Sequence, residues 1–161
     1  MDYPAKPVAD LLVELGFTHV VWLPDSALGP WEAELDRPGS LELVRVCREG
    51  EAWALAAGLY LAGKRPLVMI QNTGLFESGD ALRNVLFDLK LPLVAVIGYR
   101  SALVPGTTDS ACKFTEPMLK AWGLDYVVIR SPDELPQMRE HLRVSLAAGR
   151  PGVVLVAEGR M

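Results

Sequence analysis

Six short apolar runs, most of them rich in β-branched residues, recur along the chain: THVVWL (18–23), LELVRV (41–46), PLVMIQ (66–71), LPLVAVIG (91–98), DYVVIR (125–130) and GVVLVAE (152–158). Most do not alternate strictly between apolar and polar, as a strand with one wet face would. Near-continuous runs suit strands that are covered on both faces. Between them lie stretches with helical patterning, at about 6–15, 27–36, 49–63, 76–89, 113–122 and 132–148. The alternation predicts an α/β fold: a doubly wound parallel sheet of about six strands with helices on both faces. Ligands of such sheets gather beyond the carboxyl ends of the strands. That rule singles out four loops, Pro24-Asp25-Ser26, Arg48-Glu49, Asn72-Thr73-Gly74 and Tyr99-Arg100. The longest irregular piece, Ser101–Ser110, contains Pro105 and Gly106 and is expected to be a mobile loop over the site.

Composition narrows the function classes. The 161 residues read as one domain, 1–161, without internal repeat, low-complexity segment or linker. Half of them are hydrophobic, enough for a substantial core. The net charge is −4 and the Lys and Arg residues are scattered, so no nucleic-acid partner is expected. Apolar runs are broken well before the roughly 18 residues of a membrane span, and the start, MDYPAKPVAD, lacks the apolar core of a signal peptide. A cytoplasmic protein is expected, with Cys47 and Cys112 as free thiols. The two histidines, His19 and His141, form no local motif, and no metal-ligand spacing, Walker loop or dinucleotide fingerprint is present. Ser26 lacks the context of a nucleophile elbow, and Cys47 is expected to sit inside a buried strand, which argues against a hydrolase.

The chemistry-bearing segment is VCREGEAWALAAGLYLAGKRP, 46–66. Glu49 and Glu51 open a helix, where carboxylates favour the positive end of the helix dipole. Glu49 also follows a strand end directly and precedes a largely apolar helix body. A carboxyl partly desolvated there has its pKa raised and can donate a hydrogen bond. Glu51 projects roughly 200° around the helix from Glu49, so the two acids cannot share one role. Ala52, Ala54, Ala56, Ala57 and Gly58 allow close packing on the sheet and also suit a subunit interface.

Glu49, followed by Ala52, Ala56, Ala57 and by Gly58 nine positions on, resembles the signature of the pyrimidine-binding domain of thiamine-diphosphate enzymes. GFTHVVWLPDSALGPWEAEL is similar to the first strand and Pro-containing turn of those domains, GKRPLVMIQNTGLFESGDAL to the third strand and its turn, and LPLVAVIGYR to the fourth strand. Most of residues 10–100 is covered. AAGLYLAGKRPLVMIQNTGL is similar to the short α subunits of sulfopyruvate decarboxylase and to phosphonopyruvate decarboxylases. The resemblance implies thiamine diphosphate as cofactor, with Glu49 hydrogen-bonded to N1′ of its aminopyrimidine. It also implies that the cofactor acts as electron sink for decarboxylation of a 2-keto acid. Pro24, Asn72, Thr73 and Gly74 are carried over as cofactor-binding positions, and Ser26, Asn72 and Arg100 as substrate-binding ones. Mg²⁺ and the diphosphate are implied to sit on a β subunit with a Gly-Asp-Gly…Asn motif. This chain has only Gly79-Asp80-Ala81 and no such Asn pattern, and it is short for both halves. An α2β2 or larger assembly is the expected form.

Two departures bear on substrate. Phe76 and Glu77 place bulk and negative charge after the third-strand turn, and Asp25 adds charge beside Pro24. Both are expected to disfavour a strongly anionic substrate. Local readings stand beside the functional ones: Asp25-Ser26 as a helix cap, Asn72-Thr73-Gly74 as an ordinary turn, and Arg100 as a solvent-facing arginine. Two other functions stay open, a carboligase subunit on the same cofactor and a non-catalytic flavodoxin-like binding module.

Overall fold

The computed structural model describes residues 3–26 and 28–159. Among them six strands form one all-parallel sheet: β1 (His19–Trp22), β2 (Glu42–Arg45), β3 (Pro66–Gln71), β4 (Val94–Tyr99), β5 (Tyr126–Ile129) and β6 (Gly152–Ala157), in the order β2-β1-β3-β4-β6-β5. The predicted α/β class and strand positions hold. β3, β4 and β6, the middle of the sheet, are buried almost throughout, as their unbroken apolar runs require. β2 is an edge strand, half-exposed rather than covered, and Cys47 just beyond it is exposed. Glu42 and Arg45, at its two ends, are the polar residues an edge strand tolerates.

Two apolar layers sandwich the sheet. One gathers Leu12, Trp31, Leu35, Met138 and Leu142 from α1 (Ala5–Glu14), a short 3₁₀ turn (Gly29–Trp31), α2 (Glu32–Leu35) and α7 (Leu135–Ala148). The other gathers Trp53, Ala56, Leu75, Leu82 and Leu119 from α3 (Glu49–Leu61), α4 (Asn72–Glu77), α5 (Gly79–Arg83) and α6 (Ser110–Ala121). The helix expected at 27–36 takes shape from Gly29 onward, and Ala27 lies outside the described residues. The helix expected at 76–89 differs more. It begins at Asn72 without an intervening turn, breaks at Ser78, and ends in a π-helical turn at Asn84–Asp88. Asn72-Thr73-Gly74 is therefore the first turn of a helix, not a connecting turn. α6 starts at Ser110 because Asp109 caps it, its carboxylate accepting from the Ala111 N–H.

The register levels the strand ends. Trp22 pairs with both Arg45 and Met69, Gln71 with Gly98, and Tyr99 with Ala157. Pro24, Glu49, Asn72, Arg100 and Glu158 thus emerge along one edge. The chain reverses direction across the sheet between β1 and β3, whose carboxyl ends form the switch point of this topology.

At the opposite edge, α7 presents His141 and Ser145 to Gly152. A Cβ on that glycine would lie 2.2 Å from Ser145 Oγ and 3.1 Å from His141 Nε2. Burial pushes the His141 imidazole below its ordinary value. The unfolded chain takes up this proton as pH falls through about 6.5, whereas the native state does so only at a lower pH. The contribution is therefore complete above about 6.5 and is lost as pH falls from there through the native value. His141→Leu is expected to flatten this part of the pH dependence of the urea midpoint, and an unchanged slope would refute the assignment.

Candidate active site

Glu49 is the first residue of α3. Its half-buried side chain lies directly against α4. A Cβ built on Gly74 would sit 2.1 Å from Glu49 Cγ and 2.4 Å from its Oε1. Gly74 is therefore a glycine inside a helix because the glutamate occupies the space its side chain would need. Among the described residues the Glu49 carboxylate has no hydrogen-bond or ion-pair partner. It is held by packing, at the carboxyl edge of the sheet, with both oxygens uncommitted.

Glu51 has a different task. Its Oε2 accepts from the Cys47 N–H at 3.1 Å, a cap reaching back over the helix start. The expected separation of roles between the two acids is what the geometry gives: one acid is bonded to its own helix start, and the other is uncommitted.

Glu77 is also committed. Its Oε2 accepts from the Gly50 N–H at 2.9 Å, and its Oε1 accepts from Arg48 at 2.5 and 3.0 Å. The Gly50 bond, then Arg48, hold its carboxyl below the usual glutamate range. This negative charge is compensated within the fold. Its charge therefore stands beside Arg48 rather than alone after the third-strand turn. Asp25 is similarly engaged, its Oδ1 accepting from the Leu28 N–H at 2.7 Å.

Asn72 is fully buried. Its Oδ1 accepts from the Arg100 N–H at 3.3 Å and its Nδ2 donates to Thr115 Oγ1 at 3.2 Å, tying β4 and α6 to the start of α4. Both ends of the amide are used inside the protein, which gives this residue a structural duty. Asn72→Ala is expected to cost about 1–3 kcal/mol, because it removes both bonds and leaves the Arg100 N–H without its partner, while Thr115 keeps its bond to the Ala111 carbonyl. A urea midpoint within error of the wild type would show that the bonds contribute nothing.

Arg100 is not a free cation. Its Nε donates to Asp109 Oδ2 at 3.0 Å, the same oxygen that accepts from Ser101 Oγ at 2.9 Å. Arg100 first, then Ser101 and the Ala111 N–H, keep the Asp109 carboxyl below its usual range. The Leu103 N–H donates to the Glu158 carbonyl at 3.0 Å, and Ser101 holds a left-handed φ of 63°. The segment 101–110 is thus stapled to β6 and to the start of α6. Its Pro and Gly lie in turns, and these bonds anchor the segment in the structure. Thr73 Oγ1 donates to Gln71 Oε1 at 2.7 Å, and Thr73 lines a shallow cleft with Phe76, Ser110, Ala111 and Phe114. Pro24 and Ser26 lie exposed in the loop after β1.

Of the expected residues, the structure brings Glu49 and Gly74 into contact and links Asn72 to Arg100. Sequence reading missed Arg48 and Glu77 as a pair, and Asp109 as the hub of the β4 loop. Asp109 carries a local signal, an Asp just ahead of a helical pattern. Glu77 carries none, since its partners lie 27 and 29 positions away. Among the described residues, no group of three or more His, Cys, Asp or Glu is placed to hold a metal ion, and no helix is long and apolar enough to cross a membrane.

No family model matches the chain. Curated proteins do. Over 116 residues it is 28% identical to a sulfopyruvate decarboxylase of Methanosarcina acetivorans, covering 71% of this chain and 30% of that protein. Over 142 residues it is 30% identical to a phosphonopyruvate decarboxylase of Streptomyces viridochromogenes, covering 84% of this chain and 35% of that protein. A sulfopyruvate decarboxylase subunit alpha of Methanococcus maripaludis is 24% identical over 132 residues, covering 81% of this chain and 79% of that subunit. The chain thus spans about a third of the length of the first two relatives and most of the third. Its resemblance to the pyrimidine-binding domain of thiamine-diphosphate enzymes agrees with the all-parallel α/β sheet. By sequence, the chain is a relative of the sulfopyruvate decarboxylase alpha subunits and of the phosphonopyruvate decarboxylases.

Proposed function

We propose that this chain is the pyrimidine-facing part of a thiamine-diphosphate-dependent decarboxylase acting on a 2-keto acid of the sulfopyruvate or phosphonopyruvate kind. One observation carries the reading. Glu49 is a carboxyl with no partner among the described residues, packed over a glycine at the carboxyl edge of a parallel sheet. An acid so placed is built to meet a group from outside the chain. The relatives' names supply the reaction class, and the Arg48 pair offsets the charge that Glu77 brings to this edge.

The residues fit the pyrimidine end of thiamine diphosphate. Bound there, the cofactor supplies the electron sink for loss of CO₂. Glu49 would hydrogen-bond a nitrogen of the pyrimidine ring. Gly74 lets its side chain lie flat on α4. Pro24 and Thr73 rim the same edge. The diphosphate and Mg²⁺ belong, in this reading, to a Gly-Asp-Gly…Asn domain outside residues 1–161, in a heteromeric assembly such as α2β2.

The outer face of α3 supports such an assembly. The helix is apolar all round, yet only Ala52, Trp53, Ala56 and Ala57 are buried. Ala54, Leu55, Gly58 and Leu61 face outward, and Leu61 is 71% exposed. A helix with two apolar faces needs a second surface to cover it.

The test combines binding and turnover. With thiamine diphosphate and Mg²⁺, the chain alone should bind weakly and release no CO₂. Joined to the Gly-Asp-Gly partner, it should decarboxylate sulfopyruvate or phosphonopyruvate. Tight stoichiometric binding by the lone chain would defeat the divided site, and failure of the complex on every 2-keto acid would defeat the reaction class.

A further inference from the structure

We infer that Glu77 is a positioning residue for Glu49, a clamp that α4 closes on the first turn of α3. The inference rests on the reading of Glu49 as the cofactor-facing acid. Its geometry is independent of that reading. Glu77 grips the chain on both sides of Glu49, taking the Arg48 guanidinium through Oε1 and the Gly50 N–H through Oε2 at 2.9 Å. The same short helix supplies Gly74, the surface on which Glu49 lies. Two contacts three residues apart on α4 therefore fix the glutamate, one through its backbone neighbours and one through its side chain.

The need for a clamp follows from the helix start. The opening N–H groups of any α-helix have no partner within the helix, and Arg48, at the N-cap position, provides no side-chain cap. Glu51 serves only the Cys47 N–H. Without Glu77 the Gly50 N–H would turn to water and the first turn would fray. A glycine at this position gives little resistance to fraying. Glu49, the first helical residue, would then sample many orientations. A displacement of about 1 Å at a reacting group can cost on the order of 10² in rate.

The Gly50 bond is the larger part of the clamp. The ion pair with Arg48 is mostly solvent-exposed on the arginine side, and such pairs contribute little. The variants therefore separate cleanly. Glu77→Gln keeps an oxygen for the Gly50 N–H and loses the charge pair. Glu77→Ala loses both, and Arg48→Ala loses the pair alone.

Two measurements test the clamp. In the full chain without cofactor, amide hydrogen exchange at Gly50 should accelerate about tenfold or more in Glu77→Ala, the loss expected for one hydrogen bond. Glu77→Gln and Arg48→Ala should stay within about threefold of wild type. In the assembled enzyme, at temperatures where all variants are folded, Glu77→Ala should slow C2 proton exchange of thiamine diphosphate at least tenfold. The KM for the keto acid should hardly move, and Glu77→Gln should restore most of the rate. Unchanged Gly50 exchange in Glu77→Ala overturns the clamp whatever the cofactor. So does faster amide exchange with an unchanged C2 rate, or equal rate losses in the Ala and Gln variants. If Glu49→Gln itself leaves the C2 rate untouched, the cofactor reading fails, and with it the positioning role of Glu77. The amide measurement then still reports whether Glu77 holds the helix start.

Discussion

Glu49→Gln, in the assembled enzyme, is expected to slow exchange of the thiamine C2 proton by about 10²–10⁴-fold, the usual loss for one proton-handling group. The fold should be indifferent. Glu49 makes no bond within the described chain, so the change costs only its interaction with the helix dipole, about 0.3–1 kcal/mol. In a domain of this size that is a shift of roughly 1–4 °C in Tm. Gln retains the shape of the side chain and its fit over Gly74, so what is removed is the carboxyl's capacity to give and take a proton. The control is two residues away. Glu51→Gln keeps an oxygen for the Cys47 N–H and should change neither rate nor stability by much, while Glu51→Ala should lose about 0.5–2 kcal/mol of stability with the cap. C2 exchange followed by NMR, beside thermal melts, measures both. Equal rate losses at the two positions would reject the assignment of Glu49.

Gly74→Ala should separate function from stability even more sharply. The new methyl would fall 2.1 Å from Glu49 Cγ, so the glutamate side chain has to leave its place. The displaced atoms run from Cγ to Oε1, so the whole half-exposed side chain has to turn about its first torsion, with no backbone in the way of the new methyl among the nearest atoms. Alanine also raises helix propensity over glycine by about 1 kcal/mol. The expected variant melts at or above the wild-type temperature and loses C2 exchange by an amount approaching that of Glu49→Gln. Adding Glu49→Gln on top should then cost little more, since both changes remove one group from one place. If Gly74→Ala keeps full activity, Glu49 does not act from the position in which it is packed.

The backbone plan was legible because it rests on local pattern. Unbroken apolar runs mark strands covered on both faces, and the rule of carboxyl ends then marks the right edge of the sheet. The place of Glu49, between a strand end and an apolar helix, was legible in the same pattern, whereas its choice over Glu51 rested on the family resemblance of the spacing from Glu49 to Gly58. What escaped was pairwise and distant. Asn72 in isolation is a polar residue near a strand end, and only the arrival of Arg100 and Thr115, 28 and 43 positions on, makes it a buried tie. Glu77 read as loose negative charge until Arg48 and the Gly50 N–H closed on it. The segment 101–110 reads as an irregular loop because of its Pro and Gly, and its ties to Asp109 and to the Glu158 carbonyl carry no local signal. β2 carried an apolar run yet lies at the edge, a matter of strand order that local pattern does not encode.

Strand order also governs how the protein can come off the ribosome. β6, the last of the six strands to be made, lies between β4 and β5. β5 has no other neighbour, so it must wait unpaired through the synthesis of all of α7. Tyr3 waits longer still. Its hydroxyl donates to the carbonyls of Ile129 and Ala157, the second 154 residues downstream. The β2-β1-β3-β4 portion can assemble as it emerges, but its far side stays open, with the apolar flank of β4 exposed until β6 inserts. Such a nascent chain offers an unpaired edge to its neighbours on the polysome, and slowing translation before residue 152 should lengthen that exposure and increase aggregation.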